Sequence, residues 1–597
     1  MKIESGSSSR RLARSRREFL RLAMVTSGAA LLAACAPSAP ATPTQKPAAP
    51  ATQAPPPTQV PASVASPSTA AASASPAAAA SPAAGASPSP SPAAAAPAPA
   101  SAPAPAAAAS KPGGTKIYRV GLSGDATEMD PLKSTTQANQ PVQEALYNYA
   151  ARYSYKPPLS SIINPEVAEW EVQDGARTYI FHVKKGIKYH DGSGEMTAED
   201  LKWNWERAKD PKTAASSRPD WAGSTLTVLD PYTLKVTFEQ PYPSFIGATV
   251  AYGGGMLVAP KAREAAGDKW STAPVGSGPF KWDSAQPGSS ITLKKNPDYW
   301  GKKPNIDEIQ FKMKVDARTA MLAISRGELD AYYVADPDVA TAASKNTDPN
   351  VKFVKSAFGQ SPFTIWFNMR RKPLDDIRVR QALRYAIDAE AISKELFGGL
   401  ADPIHSYMPS WMFGYTPDVP RFEYNPDKAK QLLKEANVPA DWKPSFVSQS
   451  VLPISKRISE AVSSFWTDVG IQVQNDSLEQ GLIAQRNTNN DFDMWGTYIS
   501  RVDPEQLTAR FWRSDGATNR SGYTLADDLI DQIRNEADPT ARAKLYGDFQ
   551  RKLSEDSPAA FVVATSEHLL LNKRVTGEEG PGWLLRLNWF DVDVPAE

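Results

Sequence analysis

Between Ala36 and Gly114 the chain is almost entirely Ala, Pro, Ser and Thr, and its only charges are Lys46 and Lys111. A stretch so poor in large apolar side chains cannot bury enough surface to offset the entropy of ordering it, so it can contribute nothing to a core. Dense proline favours extended polyproline II at roughly 3.1 Å per residue, so the tract reads as a tether spanning on the order of 200 Å if straight. Whatever folds must lie beyond it, from Thr115 to Glu597. That is about 480 residues, enough for two to four domains.

Ahead of the tether, residues 1–34 carry seven Lys/Arg against Glu4 and Glu18, followed by an apolar run from about Leu20 to Ala34. The run falls short of the roughly 20 apolar residues a membrane-spanning helix needs, so it reads as a cleaved targeting segment. Ser15-Arg16-Arg17-Glu18-Phe19-Leu20-Arg21 resembles the twin-arginine export signal, with Arg21 where that pattern usually has Lys. Leu32-Ala33-Ala34-Cys35 resembles the bacterial lipobox, which implies cleavage before Cys35 and acylation of its sulfur, holding the protein at the outer face of the cytoplasmic membrane. One acyl chain binds membranes only marginally, so stable anchoring takes two or three.

Cys35 is the only cysteine, which excludes disulfides, thiolate metal sites and a cysteine nucleophile from the folded part. The whole chain has net charge +1; the leader contributes +5, so the remainder carries −4, and −6 without the two tether lysines. A mildly acidic body excludes nucleic acid as a natural partner. The 15 Trp and 20 Tyr suit a fold that lines a ligand cleft with rigid aromatic area, although most such residues belong to cores.

Alternation in Lys116–Leu122 predicts a strand that exits into a loop over Asp125–Pro131, the position where α/β folds place ligands. Arg177–Val183 and Ile187–Tyr189 flank Lys184-Lys185-Gly186 as a hairpin, and Leu226–Val228 with Leu234–Phe238 form another about Asp230-Pro231. Phe280 and Trp282 are expected to pair with Ile291 and Leu293. Thr197-Ala198-Glu199-Asp200 starts a helix, Asn425-Pro426-Asp427 starts another, and Arg378–Leu396 reads as one helix stopped at Gly398-Gly399. His190-Asp191-Gly192 reads as a turn, and Arg380 as the partner of a neighbouring acid.

Several of these segments, in order, resemble the family 5 extracellular solute-binding proteins of bacterial ABC importers. They include Glu166–Val172, Tyr179–Gly192, Met196–Leu201, Val275-Gly276-Ser277-Gly278-Pro279-Phe280, Asn296–Trp300 and Gly327–Asp330. Further on come Val379–Leu383, Tyr424–Ala429, Val469–Ile471 and Asp491–Met494. The resemblance implies an α/β, type II periplasmic-binding-protein fold: two lobes joined by a hinge, plus an extra domain. The corresponding boundaries are 1–34 signal, 35–114 tether, 115–150 first lobe, 151–270 extra domain, 271–355 first lobe, 356–565 second lobe and 566–597 return to the first. It implies a non-enzymatic monomer that captures a peptide or other small solute and passes it to a membrane permease.

The same resemblance places cleft residues at Thr127, Glu128 and Met129 after the first strand, and at Tyr407, Met408 and Trp411. Peptide binders of the family put an aspartate shortly after a tryptophan, where it meets the ligand's α-ammonium. Here the stretch runs from Trp495 through Tyr498 and Arg501 to Asp503, whose place matches a separate Asp-Pro. The expected ligand is therefore anionic, neutral, or a modified peptide or glycan, contacted by Arg501 or Tyr498. The alternatives are a tethered hydrolase or a glycan-binding surface protein. The hydrolase finds no motif, since His182, His190, His405 and His568 have no metal-ligand spacing and no G-x-S-x-G occurs, and the surface role fits the tether but not the ordered family pattern. No cofactor and no metal are expected.

Overall fold

The computed structural model describes residues 113–597 apart from 135, 155–162, 253–254, 357–360, 451, 500, 502, 517 and 579–587. Cys35, the targeting segment and nearly all of the tether lie outside these residues. Among the described residues no helix is long and apolar enough to cross a membrane.

A seven-stranded sheet forms the first lobe, in the order Phe280–Gln286, Ser290–Lys295, Glu308–Lys312, Ile117–Gly121, Ala331–Val334, His568–Asn572, Val351–Val354. The alternating first strand is central and parallel to both neighbours, Val120 facing Phe311 on one side and Ala331 on the other. Being covered on both faces, it is rich in buried apolar positions. A six-stranded sheet forms the second lobe: Asp402–Pro403, Ala559–Thr565, Ser361–Phe367, Met494–Tyr498, Ser445–Gln449, Gln474–Leu478. The chain crosses from one sheet to the other between Val354 and Ser361 and returns between Thr565 and His568. The amide of Ser356 on the first crossover donates to Nδ1 of His568, the strand residue at which the second ends, at 3.2 Å.

Inserted after Leu146 is a smaller four-stranded antiparallel sheet, Ala168–Gln173, Thr178–Val183, Thr233–Phe238, Ser224–Asp230, covered by the helix Ala198–Lys209. Trp205, Trp221, Phe181 and Phe245 pack edge to face or tilted beneath it. The helix starts as its sequence requires, the Thr197 amide donating to the Asp200 carboxylate at 2.7 Å.

Three local expectations are corrected. Ile187–Tyr189 forms no hairpin strand; Thr178–Val183 is flanked by Ala168–Gln173 and Thr233–Phe238, and Lys188 makes only an isolated bridge to Glu195. The helix expected over Arg378–Leu396 is two helices, Ile377–Tyr385 and Ala389–Phe397, because Asp388 caps the second by accepting from the Ala391 amide at 2.8 Å. Gly398, with φ of 59°, then ends it. Arg380 meets no carboxylate; buried, it donates to the carbonyls of Leu374, Asp375, Asp556 and Ser557 at 2.8–3.0 Å. With Arg384, which donates to Ser554 O at 2.7 Å, it satisfies carbonyls left open at the end of the helix Pro539–Asp556.

The ordered motifs converge on one buried network. Asn148 donates to Glu166 Oε1 at 2.7 Å and to the Tyr299 hydroxyl at 3.2 Å, and accepts from Ser277 Oγ at 2.9 Å. His190 accepts from the Gly276 amide through Nδ1 at 3.2 Å and its Nε2 lies 3.0 Å from Gly278 O, which also accepts from Asn296 Nδ2. With an amide donating to Nδ1, a proton there has no place, and burial pushes the imidazole pKa down to about 4. His190 is thus a neutral structural clasp between the inserted domain and the first lobe.

Candidate functional site

In the first lobe the parallel strands Ile117–Gly121, Glu308–Lys312 and Ala331–Val334 end at a common edge; in the second, Ser445–Gln449, Gln474–Leu478 and Met494–Tyr498 do the same. Both crossovers leave from these edges, since Val354 pairs with Leu569 in one sheet while Ser361 pairs with Thr565 and Phe363 with Tyr498 in the other. Open α/β sheets bind ligands beyond the carboxyl ends of their strands. A cavity of about 140 Å³ opens there, lined by Gly121, Leu122, Ser123, Gln137, Tyr332 and Glu567. Glu567 lies on the returning crossover, hydrogen-bonded to the Gln137 amide, and burial raises its pKa to about 7. A larger cavity, about 450 Å³, belongs to the first lobe and inserted domain, between Arg152, Glu166, Lys184, Tyr299, Trp300 and Phe590.

The second lobe carries a cationic group beside its strand Met494–Tyr498. The Arg520 guanidinium lies 4.4 Å from the centre of the Trp495 ring, and its pKa falls to about 10, first through burial and then through repulsion from Arg510 and Arg370. Among the described residues no carboxylate comes within ion-pair distance of Arg510 or Arg520. From the inserted domain, Asp220 faces Arg510 and Arg501; burial raises its pKa to about 6 and the two arginines oppose that rise. Burial likewise lowers the pKa of Arg501, which approaches the Phe511 ring at 5.9 Å.

The structure distributes the sequence-derived candidates over three environments. Thr127 is exposed, whereas Glu128 and Met129 turn into the first lobe. The Glu128 carboxylate accepts from Ser271 Oγ at 2.9 Å, and Met129 O accepts from the Tyr147 hydroxyl at 2.7 Å. Tyr407, Met408 and Trp411 are buried together with Trp366, Ile499 and Trp512, joined by Tyr153 and Ala251 from the inserted domain. The Tyr407 hydroxyl pairs with Thr508 Oγ1 at 2.8 Å. Trp495 packs with Val447, Ile483 and Phe492, while Tyr498 closes the strand edge against Phe363. Asp503 caps the helix Pro504–Trp512, accepting from the Glu505 amide at 2.9 Å, and burial raises its pKa to about 6. Arg510, Arg520 and Asp220 were not among the candidates. The first two lie in a polar segment after the Asp-Pro where no local pattern marks them, and Asp220 sits in a short Pro-containing turn.

Two α/β lobes joined by a pair of crossovers, with the strand ends of both turned to a shared region, define a bilobal binding protein of the periplasmic type. The chain belongs to the bacterial extracellular solute-binding proteins, family 5, whose middle-region model matches residues 163–519. It is similar to the dipeptide-binding protein of Escherichia coli (strain K12), 28% identical over 447 residues, covering 69% of this chain and 83% of that protein. It is also similar to the glutathione-binding protein GsiB of the same organism, 25% identical over 473 residues, covering 77% and 91%. The fold matches the ABC transporter substrate-binding protein CtaP of Listeria monocytogenes with a TM-score of 0.72 at 21% identity, over 81% of this chain and all of that one. The protein is therefore a substrate-binding protein and not an enzyme.

Proposed function

We propose that this protein captures a peptide or peptide-like solute bearing an anionic group between its two lobes and delivers it to an ABC importer permease, as a monomer anchored outside the cytoplasmic membrane by acylated Cys35. The carrying observation is Arg520, half-buried against the Trp495 ring and repelled by the exposed Arg510, with no carboxylate among the described residues in ion-pair distance of either. A desolvated guanidinium gains most from an anionic partner, and a ligand carboxylate would supply it. The relatives named for dipeptide and glutathione support a peptide-like ligand, and glutathione itself carries two carboxylates. Arg501, Tyr498 and Trp495 are proposed to line the same site, with Asp503, Tyr407, Met408 and Trp411 behind it and Thr127, Glu128 and Met129 at its first-lobe margin. A ligand touching both lobes favours the closed form by the contacts it makes only there.

Once the bound solute is identified, Arg520→Ala and Arg510→Ala should each weaken its binding about 10- to 100-fold in calorimetric titration, the effect of losing one charge-assisted contact. Unchanged affinity in both would remove the anionic site, and Arg501→Ala with Tyr498→Phe left at wild-type affinity would remove those two residues. For the anchor, Cys35→Ser should shift the protein from the membrane to the soluble fraction with affinity intact. Loss of binding in that variant would assign Cys35 another role.

A further inference from the structure

The inserted domain meets the second lobe at an unusual turn. Ile246–Val250 is a π-helix, closed by the Ala251 amide donating to Ile246 O at 2.8 Å, and steadied by the Tyr242 hydroxyl 3.1 Å from Thr249 Oγ1. Such turns are rare, widen the backbone and are frequent at functional positions. Across from it, Gln506 of the second lobe donates its side-chain amide to Ala248 O at 2.8 Å. The Asp503 carboxylate comes so close over Gly247 that a Cβ there would lie 2.7 Å from its Oδ2 and 2.6 Å from the Tyr153 hydroxyl. Asp503 cannot swing aside freely, because its other oxygen caps the helix that carries Gln506.

We propose that this π-helix is the seat onto which the segment Asp503–Gln506 latches when the lobes close, Gly247 leaving the space and Ala248 the acceptor. Gly247 and Gln506 are then positioning residues: they set the balance between open and closed forms, and hence solute retention, without touching the solute. The inference deepens the solute-capture reading and rests on it. The latch joins two segments that are 258 residues apart in sequence and belong to different lobes. Whatever opens one must therefore expose the other.

Hydrogen–deuterium exchange on the full chain, as isolated from its host, reads this directly. In the wild type, amides of 246–251 and 503–512 should be protected. Gly247→Val should speed exchange about tenfold or more in both segments, and Gln506→Ala several-fold, while Ile117–Gly121 and Ala559–Thr565 stay as slow as in the wild type. If 503–512 does not respond to Gly247→Val, or if both segments exchange alike in all three proteins, there is no latch. Should Gly247→Val also loosen the two control strands, it has misfolded and the Gln506→Ala response alone decides. A paired response in protein that carries no solute would uphold the latch and leave solute capture as the reading that fails.

Discussion

Gly276→Ala should abolish the native fold, or cost more than about 4 kcal/mol if any folded protein survives. A Cβ at this position would lie 2.1 Å from Leu146 O and 2.6 Å from Tyr147 Cδ1. The first obstacle is main chain, held in place because the neighbouring Gly278 amide donates to the same carbonyl at 2.9 Å. No rotamer change relieves it. Moving the segment would break the His190 contacts to Gly276 and Gly278 and part the buried Ser277 hydroxyl from Asn148 Oδ1. Gly192, in the motif that carries His190, is the control. Its φ is +72° but nothing lies within 4 Å of a Cβ there, so Gly192→Ala should cost only the left-handed backbone term, about 1–2 kcal/mol. Urea denaturation of the two variants should differ accordingly; similar midpoints would mean that the glycine spacing serves chain flexibility and not close packing.

Asp130→Asn should destabilise the protein by about 3–5 kcal/mol. This carboxylate is 1% exposed, and its Oδ2 accepts from Arg207 Nη2 at 2.5 Å and Arg263 Nε at 3.0 Å, on the helices Ala198–Lys209 and Pro260–Ala266. Removing the charge leaves two largely buried guanidinium groups without a counter-ion, and the single amide oxygen cannot accept both from them and from the Leu132 amide, which donates to Oδ1 at 3.2 Å. Pairing Asp130→Asn with Arg263→Met should give a double variant less destabilised than the sum of the singles, since the second change removes a charge the first left unpaired. Simple additivity would show that the ion-pair cluster does not act as a unit. Because Glu128 and Met129 belong to the same turn, the result also reports whether this loop serves the fold before it serves a ligand.

The family was legible because its motifs are chemically constrained, yet the constraint is structural. Gly276, Gly278, His190, Glu166, Asn296 and Tyr299 meet around Asn148 although they span 133 residues. Local periodicity gave the strand at Ile117–Gly121, the hairpins about Asp230-Pro231 and Pro287-Gly288 and the caps at Thr197 and Asn425, where neighbours in sequence are neighbours in space. It failed where long-range partners decide. The Arg380 guanidinium goes to carbonyls at Asp556 and Ser557, and on the side where Ile187–Tyr189 was expected Thr178–Val183 pairs with the distant Thr233–Phe238. The candidate site was the least legible part, because Asp220 meets Arg510 and Arg501 only where the inserted domain and the second lobe come together.

Solute capture between lobes makes one demand that other readings do not. Native mass spectrometry of the full chain purified from its own host should show a co-purifying small molecule, lost on denaturation, that fragments as a peptide-like compound with a free carboxylate or other anionic group. Mass matching the bare polypeptide and its lipid, together with no binding to acidic di- and tripeptides in calorimetric titration, would contradict the assignment of this protein as an importer's receptor for such solutes.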